Sequence, residues 1–153
     1  MAVSVALLFM LAAGPEPGPA ADAPPAAAAA AAAPPADANL FVFRDHAEPL
    51  VFTPSVKVDG RKVAGLAQKQ FTAVHVAPGN HLVEVSWPFL SRQGSVETYF
   101  TVVDGGPPHY FEIKGTSRTG LGMQLEMRSE LAEWKPDTGA ERLRACCHFK
   151  AAK

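Results

Sequence analysis

Residues 70–87, QFTAVHVAPGNHLVEVSW, place two runs of alternating side chains on either side of a Pro-Gly turn. Alternation with a period of two belongs to a pleated strand, whose successive side chains point to opposite faces. Ala77-Pro78-Gly79-Asn80 suits a type II turn, because Pro presets the second position and Gly accepts the positive φ of the third. The stretch therefore reads as a hairpin, with His81 opposite Val76 and His75 opposite Leu82. Paired residues share a face. His81 then joins Val74, Val76, Val83, Val85 and Trp87 on the apolar face, while His75 lies on the other with Phe71, Ala73, Leu82, Glu84 and Ser86. Two histidines pointing in opposite directions cannot hold one metal ion within this unit. His81 reads as a core-edge histidine bonded to backbone, and His75 beside Glu84 as surface decoration.

The same period runs through LFVFR (40–44), SVKVDGRKVAGL (55–66), SVETYFTVV (95–103), HYFEIK (109–114) and LGMQLEMR (121–128). Asp59-Gly60 between two alternating runs marks a tight hairpin. A two-residue loop opposes Lys57 to Lys62, an unfavourable like-charge pair, whereas a four-residue loop pairs Val58 with Val63; both registers stay open. Residues 104–108, DGGPP, form the turn before His109. PDTGAERLRACC (136–147) has Thr138 three residues ahead of Glu141, a capping-box pattern, and puts Ala140, Leu143 and Cys147 on one helical face. Gly139 weakens that helix. About six to eight short strands with a short C-terminal helix predict a mainly β chain, an antiparallel β-sandwich over residues 39–150.

The part before it is of another kind. Residues 14–38 contain Ala, Pro, Gly and three acids, with no aromatic side chain and no Leu, Ile, Val or Met. Such a segment cannot offset its ordering entropy by burial and reads as a disordered linker. The alanine run at 26–33 is fenced by proline pairs to about two turns, too short for an isolated helix. Residues 1–13 have the length and small-residue ending of a signal-peptide apolar region and are too short to span a bilayer. The expectation is export, cleavage by the ordinary signal peptidase and a periplasmic or secreted product without a membrane span; an uncleaved anchor is the alternative. Leu11-Ala12-Ala13-Gly14 matches a lipoprotein processing site except that Gly14 stands where a lipidated Cys would be.

Removing residues 1–38, which carry Glu16, Asp22 and Asp37 and no base, turns a formal net charge of −1 into +2. The charges are interspersed, which argues against nucleic acid and against a polybasic membrane patch. Cys146-Cys147-His148 offers too few ligands for a zinc site. Adjacent Cα atoms lie closer than ordinary disulfide geometry asks, so Cys147 is expected inward and unbridged, with Cys146 at the surface and open to an intermolecular bridge. Asp45, His46 and Glu48 crowd after the first strand as ordinary loop polarity. No nucleophile elbow or phosphate loop is present. No catalytic, cofactor-binding or metal-binding residue is assigned, and the reading is non-enzymatic. A small-molecule or metal binder using His75, His109 or His148 is the alternative.

FVFR (41–44), VKVDGRKVAGL (56–66), FTAVHVAPGNH (71–81) and GGPPHYFEI (105–113) together resemble a family of small bacterial envelope proteins, often lipoproteins, known as domain-of-unknown-function family 2846. The middle third is also similar to sandwich domains of the PEGA type. The resemblance covers roughly residues 39–135 and implies an envelope β-sandwich, with no activity or site residues to transfer. On this reading the module binds an envelope protein or polymer. Its contacts are expected in the loop Phe89, Leu90, Ser91 and Arg92 together with the loop 105–109, which includes His109, since end loops and edges carry variable side chains. If the first 13 residues are a signal peptide, the intact mass of the protein from its host's envelope fraction will correspond to a chain beginning near Gly14; a full-length cytoplasmic chain would contradict export.

Overall fold

The structure, a computed structural model, describes residues 33–119 and 125–153. The signal-peptide reading, most of the linker and the first residues of the strand expected at 121–128 lie outside them. Two sheets are formed. The first has the order β8-β7-β1-β4-β9, from β1 (Leu40–Arg44), β4 (Gln70–Val74), β7 (His109–Thr119), β8 (Leu125–Trp134) and β9 (His148–Phe149). The second has the order β3-β2-β5-β6, from β2 (Ser55–Val58), β3 (Arg61–Gly65), β5 (Gly79–Ser86) and β6 (Val96–Val102). Among the described residues one α-helix, α1 (Pro136–Cys146), lies between β8 and β9 in sequence. The expected mainly β sandwich with a C-terminal helix is therefore present. Two of its pairings are parallel, β1 with β7 and β4 with β9.

The inward-facing alternation supplies the core between the sheets: Leu40, Val42, Val56, Val83, Val85, Phe100, Phe111, Ile113 and Leu131. A second cluster lies on the other face of the first sheet, where Phe43, Phe71, Ala73 and Tyr110 meet Leu143 of α1. The first sheet is thus covered on both sides. That explains why β1 reads LFVFR, nearly all apolar, and why it tolerates a parallel neighbour in β7.

This second cluster corrects the reading of residues 70–87. β4 and β5 are not a hairpin; they belong to different sheets, and residues 75–78 cross from one to the other. A hairpin would have left Phe71 and Ala73 on a solvent face, whereas under α1 both are buried. The crossing is held by a side chain in place of a strand: Asn39 accepts from the Val76 N–H and donates to its carbonyl, each at 2.8 Å. The face assigned to β5 holds, with Val83, Val85 and Trp87 buried and His81 at the margin. His75 meets Asp37, and Glu84 instead pairs with Lys57 at 2.9 Å.

β2 and β3 join through the two-residue loop, with Asp59 at φ 49° and Gly60 at φ 76°, the positive pair a type I′ turn requires. Lys57 does face Lys62. The like charge is offset from the other side by Glu84, and the register shifts between Val56 and Lys57. The helix starts differently from the capping-box reading: Lys135 is the N-cap without a side-chain bond, Pro136 occupies the first turn, and Thr138 is already helical. Proline's fixed φ suits that position. Gly139 is what lets α1 lie on the sheet, because a Cβ there would collide with the Tyr110 side chain.

Arg44 closes one end of the core. It is fully buried, and its Nη1 donates to the carbonyls of Phe52 (2.7 Å) and Leu66 (3.1 Å). Its Nη2 donates to those of Ala47 (2.7 Å) and Pro49 (2.9 Å). The guanidinium lies 5.0 Å from the Trp87 ring centroid. Desolvation lowers its pKa to about 10, which leaves it charged at neutral pH. Replacing it would strand buried carbonyls, each costing about 1–3 kcal/mol. Arg44→Met is expected to lower unfolding free energy by about 3–5 kcal/mol, and Arg44→Lys by less, in urea denaturation; a loss under about 1 kcal/mol for Arg44→Met would show that the loop closes without it.

Candidate functional site

Where β1 ends, Arg44 fixes the loop of residues 45–54, and where β5 ends, Trp87 leads through Pro88 into a short 3-10 turn, Phe89–Ser91. The two segments share a base. Gln93 Nε2 donates to the Glu48 carbonyl at 2.8 Å, and the Glu48 N–H donates to the Gly115 carbonyl at 3.0 Å. Ser117 Oγ donates to the Glu48 carboxylate. Gly115 is needed for this approach, since a Cβ there would strike the Glu48 backbone. The turn itself is closed by Ser91 N–H to the Pro88 carbonyl at 2.8 Å and ends at Arg92, with φ 56°.

What this base holds outward is apolar. Val51 is 85 % exposed and Leu50 53 %, on one tip; Phe89 is 95 % and Leu90 76 %, on the other. Consecutive large apolar side chains at two tips on one base are uncommon on the surface of a folded domain. Burying each against a partner is worth about 1.5–3 kcal/mol. A hollow lined by Trp87, Phe89, Leu90, Arg92 and Gln93 lies beside the second tip, with the Arg92 charge at its rim.

Phe89, Leu90 and Arg92 lie together in the turn after β5, but the loop 105–109 does not join them. β6 runs between the two loops and puts them at opposite ends of the second sheet, about 20 Å apart at the strand rise of roughly 3.3 Å per residue. His109 belongs to the opposite pole. Its Nδ1 is 2.9 Å from Glu133 Oε1, and its ring packs against Phe100 and Phe111. Leu50 and Val51 were not foreseen; the available signal was a pair of apolar residues after Glu48-Pro49, where turn chemistry calls for polar ones. Asp45, His46 and Glu48 do not converge, since Asp45 pairs with Lys69 and Glu48 turns to Ser117.

No group of three or more His, Cys, Asp or Glu among the described residues is arranged to hold a metal ion. Cys146 and Cys147 are joined to each other, which corrects the expected free thiols. α1 ends at Cys146 while Cys147 turns extended, with φ −134° and ψ 148°, and this change of direction brings the sulfurs together although the Cα atoms are only 3.7 Å apart. Cys146 therefore has no thiol for an intermolecular bridge. Trp134 belongs to packing: its Nε1 donates to buried Glu112 at 2.8 Å, and Arg142 both pairs with Glu112 at 3.1 Å and lies over the Trp134 ring.

Comparison with protein-family models, with curated proteins and with solved structures finds no match for this chain. Among the described residues no helix is long and apolar enough to cross a membrane.

At the pole of His109, His81 links two turns. Its Nδ1 is 2.7 Å from Asp59 Oδ2 and its Nε2 2.8 Å from the Ala77 carbonyl, so both acceptors are served only when both ring nitrogens carry protons. The hydrogen bond to Asp59 raises the His81 pKa against opposing desolvation, with the Ala77 carbonyl adding to the rise. The Leu82 N–H and then His81 lower that of Asp59. The His81 contribution is complete below its unfolded pKa of about 6.5 and lost as pH rises through the folded value; that of Asp59 is complete above about 3.9 and lost as pH falls through its own. The melting temperature should decline on the alkaline side of about pH 6.5, and His81→Gln should flatten that decline. An unchanged pH profile in the variant would refute the assignment.

Proposed function

We propose that the protein is a non-enzymatic, exported envelope module whose β-sandwich binds a partner protein or envelope polymer through the apex formed by Leu50, Val51, Phe89 and Leu90. The observation that carries this reading is the exposure of two apolar tips on a base locked by Arg44, Gln93 and Gly115. A preformed support lowers the ordering cost of binding. The apolar tips supply contact area, and Arg92 beside them supplies a charge that selects orientation. The Ala/Pro-rich segment and the apolar N-terminus support the envelope setting, as does the resemblance to family 2846. The second reading, a metal or small-molecule site built on His75, His109 or His148, has less support: His75 meets Asp37, His109 meets Glu133, and His148 lies near Gln70.

The exposed tips make little contact with the fold, so their removal separates binding from stability. Phe89→Ser with Leu90→Ser should leave the melting temperature within measurement error, because surface substitutions of this kind stay within about 0.5 kcal/mol. The same double variant should lose co-sedimentation with the host's isolated envelope fraction. Retained co-sedimentation would exclude the apex as the contact surface.

A further inference from the structure

Among the described residues the two sheets have free edges at β8, β9, β3 and β6, and three of these are protected. β3 carries exposed Arg61 and Lys62, and its Val63 carbonyl is taken by the Lys153 N–H at 2.9 Å. β9 has two residues. β8 sets Glu126, Arg128, Glu130 and Glu133 along its length. Charges and short strands of this kind keep edges from pairing with other chains. β6 has fewer of these devices. It is seven residues, VETYFTV, pairs with β5 in an unbroken register, and contains one charge and no proline. Its outer side presents Tyr99, 75 % exposed, followed by Val103 at 66 %.

We infer that β6 pairs antiparallel with β6 of a second copy of this chain, about a two-fold axis through Tyr99. The side chains fit that arrangement. Opposite residues in an antiparallel pair share a face, so the axis must pass through a residue, and Tyr99 is the one that pairs all seven. Val96 then meets Val102 and Thr98 meets Phe100, all on the inner face. On the outer face Tyr99 meets Tyr99 of the second copy, and each Glu97 meets Thr101, so the acids are kept apart. The two four-stranded sheets become one continuous sheet. Pairing of strands this long buries on the order of 500 Å², less than the roughly 1,200 Å² of a stable complex, which makes the dimer a concentration-dependent one.

Sedimentation velocity of the chain recovered from its host, from about 10 μM to about 1 mM, reads the inference directly. The weight-average mass should rise toward twice the monomer value, and amide shifts that move with concentration should map to residues 96–102. Tyr99→Lys, a change at an exposed site, should weaken self-association at least about tenfold by placing two cations on the axis. Phe89→Ser with Leu90→Ser should leave it unchanged, which separates this surface from the apex. A monomer throughout that range, or shifts confined to other elements, would overturn the inference.

Discussion

A single guanidinium without a carboxylate partner organises one end of this protein. Arg44 donates four hydrogen bonds to main-chain carbonyls in two different loops, and Trp87 covers its face. A buried charge solvated by peptide dipoles is stable only while those dipoles stay in place. The loop 45–54 is therefore bound to the charge as firmly as the charge is bound to the loop. Gln68 adds a second clasp, exchanging hydrogen bonds with both main-chain groups of Ala47. The apex inherits its rigidity from this arrangement, since Pro49, next to Leu50, and Trp87, two residues before Phe89, are both held by the same side chain.

A comparable logic fixes the helix on the far face of the first sheet. Glu112 is buried beneath α1, and Arg142 and Trp134 satisfy its carboxylate. Apolar contact alone, through Leu143, Tyr110 and Phe71, would allow the helix to slide. The ion pair and the close approach at Gly139 fix where it sits. Binding the helix there also explains β9, which follows the Cys146–Cys147 link and pairs with the edge of β4, with Phe149 against Phe71.

The strands were readable because alternation is local. β1, β2, β5, β6 and the start of β7 fall where period two places them, and inward-facing Val83, Val85 and Trp87 carry the right parity. Sheet membership was not readable in the same way. A Pro-Gly turn between two strands is compatible with a hairpin or with a crossing between sheets; the choice depends on Asn39 and α1, which are distant in sequence. Phe71 and Ala73 held the clue, as apolar residues on a side assigned to solvent. Of the candidate site, Phe89, Leu90 and Arg92 were legible as members of one end loop, while Leu50 and Val51 gain significance only because Arg44 holds their loop alongside. The separation of His109 from that turn follows from the length of β6, which becomes decisive only when both loops are known to flank the same strand.

The domain is polar in the geometric sense. The chain enters β1 at Leu40, beside His109, and the apex stands beyond Arg44, at the other end of the same strand. The start of β1 and the hydrophobic tips therefore stand at opposite ends of the sandwich. A force applied between Leu40 and the apex would run lengthwise along β1. That strand lies inside its sheet, between β4 and β7, so such a load would shear two rows of main-chain hydrogen bonds at once, where an edge strand would be peeled away one bond at a time.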